Sequence, residues 1–183
     1  MKAVIYYTDT EISERFTHKN MEHMIGEKLL ETGLFREYGL SLAHEPRAKG
    51  EHGKPFLSLQ PKIHYNISHS GDYVVCILAP QEVGIDIQQH KKANYPRMLE
   101  RMVPTEMIRE ILDGDDPVQA FFDQWVLREA YIKWTGEGLS RDLRTIPMGE
   151  GSSHLFQLAP GYSGALWSAS ALELSWVHVN VEL

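Results

Sequence analysis

Residues 121–139 read FFDQWVLREAYIKWTGEGL, and how this stretch folds decides the rest of the chain. Phe122, Trp125 and Val126 fall at i, i+3 and i+4, the spacing of a core-facing helical stripe. The same stripe continues through Glu129 and Lys133, so a carboxylate and an ammonium extend an apolar face. Burying either charge alone costs roughly several kcal/mol, and each therefore needs a partner there. The alternative is an exposed i, i+4 ion pair worth about 0.3–0.5 kcal/mol. The helix by itself does not choose between the two. Gly136 and Gly138 supply a C-terminal stop, because glycine tolerates the left-handed conformation that ends helices.

Around this helix lies a chain of 183 residues, 43% hydrophobic and 23% charged, the balance of an ordinary globular protein. The net charge of −7 argues against a nucleic-acid surface, which needs concentrated positive charge. It leaves room for a local basic pocket facing a phosphorylated small molecule. The single cysteine, Cys76, rules out an internal disulfide and reads as a small buried hydrophobe within VVCIL. The opening MKAVIYYTDT is cut off by Asp9 and Glu11, too early for a signal peptide or a membrane span. These features read as a cytoplasmic protein.

Residues 3–7 form a short apolar run expected as a strand, and a loop is expected at 10–17. Residues 20–38 have helical spacing, with Met21, Met24, Ile25, Leu29, Leu30 and Leu34 on one side. Residues 44–58, HEPRAKGEHGKPFLS, read as a loop holding Arg47, Lys49 and Lys54. In IHYNISHS, at 63–70, alternation predicts a strand whose end displays Ser68, His69 and Ser70. Gly71-Asp72 turns into a continuous apolar strand at 73–79, the pattern of a strand buried on both faces. A hydrolase triad of Ser68, His69 and Asp72 is disfavoured, since no glycine-flanked nucleophile elbow is present.

VGIDIQ, at 83–88, sends Val83, Ile85 and Ile87 one way and Gly84, Asp86 and Gln88 the other. Two oxygen-bearing side chains at i, i+2, joined by Glu129, form a set that suits magnesium. A polar outer strand face explains the same pattern. Residues 90–101, HKKANYPRMLER, are basic, with Pro96 breaking the segment before a short helix. Another helix runs from Thr105 to Leu112, and Asp116-Pro117 opens the long one. Segments 154–158, 164–172 and 173–181 close the chain as strands, the last two as a hairpin.

Four motifs occur in order: GKP at 53–55, NISHSGD at 66–72, GID at 84–86 and WxxxEAxxKxxGxGL at 125–139. Together they resemble the longer, single-chain class of 4′-phosphopantetheinyl transferases. The resemblance implies an α+β fold of two similar α/β lobes related by pseudo-twofold symmetry. The lobes divide as 1–82 and 83–183 with the active site in the cleft between them, and the chain is a monomer. It implies Mg2+ as cofactor, coenzyme A as substrate and an acyl or peptidyl carrier protein as partner. The 4′-phosphopantetheine arm moves to a carrier serine, and adenosine 3′,5′-bisphosphate leaves.

Carried over onto matching positions, Asp86 and Glu129 are metal ligands, with Gln88 as a third ligand directly or through water. Lys54, Ser68 and His69 hold coenzyme A phosphates and Lys133 touches the pyrophosphate. Glu129 serves as general base for the carrier serine, and Lys133 stabilises or protonates the leaving phosphate. Two departures stand out: Gln88 where many relatives carry a carboxylate, and Arg128 where lysine is common. Lys19, His23, Lys28 and Arg47 are candidates for further basic contacts to coenzyme A. Lys91, Lys92, Arg97 and Arg101, with Tyr95, Met98 and Met102, are candidates for docking the carrier. The alternative to an active transferase is a non-catalytic coenzyme A or carrier-protein binding module.

Overall fold

Alternating and helical apolar patterns sort this chain into an α+β fold whose two larger sheets each carry one long helix. The computed structural model describes residues 1–9, 21–138 and 141–181. The loop expected at 10–17, the candidate Lys19 and Leu139 at the end of the quoted stretch lie outside these residues. In chain order the elements are β1 (Lys2–Asp9), α1 (Met21–Tyr38), β2 (Arg47–Lys49), β3 (Pro55–Leu57), β4 (His64–Ser70), β5 (Tyr73–Ala79) and β6 (Val83–Gln89). They continue with α2 (Tyr95–Leu99), α3 (Thr105–Leu112), α4 (Pro117–Thr135), β7 (Ser152–Phe156), β8 (Tyr162–Ser168) and β9 (Glu173–His178).

The first sheet has the order β4-β5-β1-β9 and the second β6-β8-β7, while β2 and β3 pair as a small separate ribbon. Continuous apolar character puts β5 at the centre of the packing. Its Val74, Cys76 and Leu78 meet Ile25, Leu29, Leu30 and Leu34 of α1. Its Val75, Ile77 and Ala79 meet Val83, Ile85 and Ile87 of β6 on the opposite face. The layers therefore run α1, first sheet, second sheet, α4. On the far side, Val126 and Ala130 of α4 pack on Ala165 and Trp167 of β8.

Helix α4 starts and stops where its sequence directs. The Asp116 side chain accepts a hydrogen bond from the Gln119 N–H at 3.0 Å, with Pro117 in the first turn. Gly136 takes the left-handed cap at φ 72°, its N–H bonded to the Ile132 carbonyl. The helix lies almost backbone to backbone on β6. A Cβ at Gly84 would stand 2.1 Å from the Ala130 carbonyl oxygen, so no larger residue fits without moving the helix.

The two sheets are also joined edge to edge. The outer N–H groups of β6 find no strand beside them; they find side chains of β4 instead. Asn66 Oδ1 accepts from Ile85 N–H at 2.9 Å, Ser68 Oγ from Ile87 N–H at 3.3 Å and Ser70 Oγ from Gln89 N–H at 3.0 Å. The i, i+2, i+4 spacing of these short polar side chains matches the repeat of the free N–H groups on β6.

Several expectations are corrected. β8 and β9 do not form a hairpin: β8 pairs antiparallel with β6 and β7, and β9 pairs parallel with β1. Residues 173–178 thus form the edge strand of the first sheet. The segment 44–58 is not all loop but holds the β2–β3 ribbon. Pro96 divides its segment as expected: residues 90–94 are irregular, and the short helix α2 begins at Tyr95 with Pro96 in its first turn, where a missing N–H costs nothing. Met24 is exposed on α1 and does not join its buried stripe.

Replacing Asn66 with alanine removes the acceptor of a buried N–H. Asn66→Ala is expected to lower stability by about 1–3 kcal/mol, read as a lower urea midpoint at unchanged m-value; an unaltered midpoint would show that the seam carries no load.

Candidate active site

The closeness of β6 and α4 decides what the charged residues do. Asp86 points from β6 toward the helix and is 2% exposed. Its Oδ1 accepts from Lys133 Nζ at 2.6 Å and from Ser68 Oγ at 2.8 Å. Lys133 Nζ also donates to Ser68 Oγ at 2.9 Å. Lys133 therefore pairs across the sheet–helix contact, resolving the choice that its helix left open. Glu129, one turn earlier, is half-buried on the same side. Burial first, and then the neighbouring Asp86 carboxylate, push the Glu129 carboxyl above its ordinary range, while Lys133 partly offsets them. Two carboxylates and one ammonium thus share one partly desolvated volume.

Gln88 joins this group through its amide. Its Nε2 donates to Asp86 Oδ2 at 3.2 Å, and its Oε1 lies 3.5 Å from Ser70 Oγ. The nitrogen, not the oxygen, faces the aspartate. Ser68 is 4% exposed and its hydroxyl is taken up by Asp86, Lys133 and the Ile87 N–H.

Lys54 lies apart from this cluster. Its ammonium donates to Glu82 Oε2 at 2.5 Å, the Val83 carbonyl at 3.1 Å and the Trp134 carbonyl at 3.0 Å. All three of its N–H donors are used, clamping the start of β6 to the last turn of α4. His69 and Arg47 line a cavity of about 860 Å3 on the other side of β4, together with His23 and Lys49. Each of the first two is faced by a carboxylate of α1: Arg47 Nη1 donates to Glu27 at 2.6 Å, and His69 Nδ1 lies 3.1 Å from Glu22. Ser68 and His69 are neighbours in sequence, and strand alternation sends Ser68 to the carboxylates and His69 to the cavity. Lys28 is exposed and pairs with Glu31.

Arg128 is 1% exposed. It donates to the Gln124 carbonyl and side-chain oxygens at 3.2 and 2.6 Å, and its Nε finds no acceptor. Burial lowers its pKa to about 10. Among the docking candidates, Lys91, Lys92, Arg97 and Arg101 are exposed, but Met102 is buried and the Tyr95 ring packs tilted on Phe121, 4.7 Å between centroids. The apolar part of that patch packs on the core around α4, with Met102 buried and Tyr95 and Met98 partly exposed.

The comparisons with known proteins bear on this arrangement. The family model of the 4′-phosphopantetheinyl transferase superfamily matches residues 82–178, from β6 through β9. The chain belongs to this superfamily. It is 34% identical over 146 residues to a 4′-phosphopantetheinyl transferase of Bacillus subtilis, covering 78% of this chain and 65% of that protein. It is 33% identical over 137 residues to 4′-phosphopantetheinyl transferase Sfp of Bacillus subtilis strain 168, covering 73% and 61%. A putative 4′-phosphopantetheinyl transferase of Haemophilus influenzae is 33% identical over 143 residues, covering 74% and 59%. The chain spans less than two thirds of the length of these relatives.

Family membership implies magnesium, and the donor set fits it. Among the described residues no three His, Cys, Asp or Glu side chains converge. Asp86 and Glu129 do, and their mutual repulsion is what a hard divalent cation relieves. Such an ion would draw its remaining ligands from water and substrate oxygens, so two carboxylates would be enough to hold it. No helix among the described residues is long and apolar enough to cross a membrane.

Asn66 and Ser70 were missed as site residues, although three short polar side chains at alternate positions of NISHS carried the signal. Because Arg128 is desolvated without a counter-ion, exchange for an apolar side chain of similar length removes that cost. Arg128→Met is expected to keep or raise the thermal midpoint; a fall of more than about 4 °C, on the order of 1–2 kcal/mol for a domain of this size, would contradict this.

Proposed function

We propose that this protein transfers the 4′-phosphopantetheine arm of coenzyme A to a serine hydroxyl of an apo acyl or peptidyl carrier protein, releasing adenosine 3′,5′-bisphosphate. The observation that carries this reading is the shared volume of Asp86, Glu129 and Lys133, beside a cavity bearing Arg47 and His69. In it Asp86 and Glu129 would hold Mg2+, with Gln88 as a third ligand directly or through water. The bound ion supplies positive charge to pyrophosphate oxygens that become more anionic during transfer. The same reading makes the protein a cytoplasmic monomer.

Glu129, when ionised, takes the proton of the carrier serine hydroxyl. That oxygen forms its bond to the phosphorus bearing the pantetheine arm, and the bond from this phosphorus to the bridging oxygen breaks. The leaving phosphate keeps the bond electrons, and the Lys133 ammonium offsets its charge. Arg47 and His69 hold the phosphates of the nucleotide end, exchanging Glu27 and Glu22 for them. Ser68 and Lys54 act as positioning residues: one hydrogen-bonds Asp86, the other ties β6 to α4.

Weighing an apo carrier after incubation with the protein, coenzyme A and Mg2+ tests the reading. The expected result is a gain equal to the arm. An unchanged carrier with coenzyme A bound would favour a binding module, and hydrolysis of coenzyme A without carrier would favour a phosphodiesterase. Glu129→Gln is expected to slow transfer by about 10²-fold or more while retaining coenzyme A binding; equal loss of both would refute the division of labour.

Burial and the neighbouring Asp86 raise the pKa of the Glu129 carboxyl. A base must be ionised, and this one gains its proton at a higher pH than an ordinary glutamate. As pH falls, kcat/KM and Mg2+ affinity are expected to drop together above the usual glutamate range. An acid limb within that range would contradict the assignment.

A further inference from the structure

Helix α1 buries one side, but its outer side is not uniformly polar. Ile25, Leu29, Leu30 and Leu34 are buried in the core shared with β5. On the other side Met24, Phe35 and Tyr38 are 54%, 68% and 42% exposed. With Lys28 and Glu31 between them, these residues follow one another at alternating steps of four and three. That spacing keeps all five on one stripe of the helix, and a four–three repeat is the seam by which one helix meets another. Beside the stripe is a surface hollow of about 440 Å3, lined by Met24, Lys28, Glu31, Leu42 and Ala43 among others. Large apolar side chains exposed in such a row mark a contact surface.

The order of residues along the stripe says what it contacts. Lys28 and Glu31 are equidistant from a point between residues 29 and 30, and so are Met24 and Phe35, and Met21 and Tyr38. Two copies of α1 laid antiparallel about a twofold axis at that point bring each member of a pair onto the other. Lys28 then meets Glu31 of the second copy, and Glu31 meets its Lys28, so four charges alternate in sign around the axis. Phe35 of each copy faces Met24 of the other, at the edge of the hollow. Tyr38 faces Met21, which is half-buried at the start of the helix. Sliding one helix by a heptad in either direction sets Lys28 and Glu31 against apolar side chains, so the stripe selects a single register.

We propose that the outer face of α1 is a self-association surface, on which two copies of this chain pair antiparallel and each seats Phe35 in the hollow of the other. The inference draws nothing from the transferase reading. A contact confined to one helix face is small, and its dissociation constant is on the order of 10⁻⁴ M. At micromolar concentration the chain therefore stays the monomer given above, and the pair forms as concentration rises.

Sedimentation velocity between about 10 µM and about 1 mM protein tests the pairing. The weight-average sedimentation coefficient of the wild type is expected to climb with concentration toward that of two chains. Phe35→Ser is expected to weaken pairing at least about tenfold and to leave the thermal midpoint unchanged, because the side chain it replaces is largely in solvent. Lys28→Glu and Glu31→Lys each set like charges across the axis, and each alone is expected to pair less than the wild type. A mixture of those two variants is expected to pair again, since acids of one chain then meet bases of the other while the pair within each chain stays broken. A wild type that remains a single chain over the whole range would overturn the proposal and leave the stripe to a different protein. Pairing that survives Phe35→Ser, or a mixture that pairs no better than either variant alone, would overturn it as well. None of these outcomes bears on the transferase reading, which the mass of the carrier decides.

Discussion

A row of three side chains holds this molecule together at the seam between its two larger sheets. β6 is the edge of its sheet, and its outward N–H groups would be buried against the first sheet without acceptors. Asn66, Ser68 and Ser70 supply those acceptors at the repeat of the strand itself. Each unmet N–H would cost about 1–3 kcal/mol, a large part of the margin of a protein this size. The seam also fixes register, because a shift of one residue would face the N–H groups with Tyr65, Ile67 and His69. Ser68 belongs to both structure and site. The hydroxyl that accepts from Ile87 N–H donates to Asp86 and receives Lys133, so the position of the acidic group follows from the joining of the sheets.

Charge is distributed with the same economy. Lys133 and Lys54 both rise toward the β6–α4 contact, yet they do different things. Lys54 is saturated by two backbone carbonyls and Glu82, and it locks the helix end to the strand start. Lys133 is shared between a carboxylate and a hydroxyl in a half-buried volume that also holds Glu129. The first is a clamp. The second is a cation whose partner, Asp86, carries one negative charge while Glu129 nearby adds another. Across β4, Arg47 and His69 are each matched by an acid of α1, so both groups are paired within the protein itself.

Much of this was legible in the sequence where the cause is local. Asp116-Pro117 and Gly136 bound α4, because caps act within a turn. Alternation in VGIDIQ placed Asp86 on the helix side and Ile85 and Ile87 on the core side. The i+7 and i+11 positions of Glu129 and Lys133 put them on the face that meets β6. What was not legible depends on partners far away in the chain. The pairing of β9 with β1 joins residues more than 160 positions apart, and neither strand carries a mark of the other. The β2–β3 ribbon is three residues on each side, too short for a periodic signal. Lys54 looked like a lysine held out toward an anion, and its three acceptors come from β6, α4 and Glu82, which no local pattern joins to it. Tyr95 and Met102 read as surface neighbours of a basic patch, but aromatic packing on Phe121 draws that segment inward.

Asp86 and Glu129 occupy one electrostatic neighbourhood, and the site's chemistry depends on it. Titrating the Glu129 carboxyl by carbon NMR, in the wild-type protein and in Asp86→Asn, measures that directly. In the wild type Glu129 should titrate above the ordinary glutamate range, and in Asp86→Asn its titration should move down, stopping short of the ordinary value because burial persists. A Glu129 that titrates at the same pH in both proteins would mean that the two carboxylates do not meet.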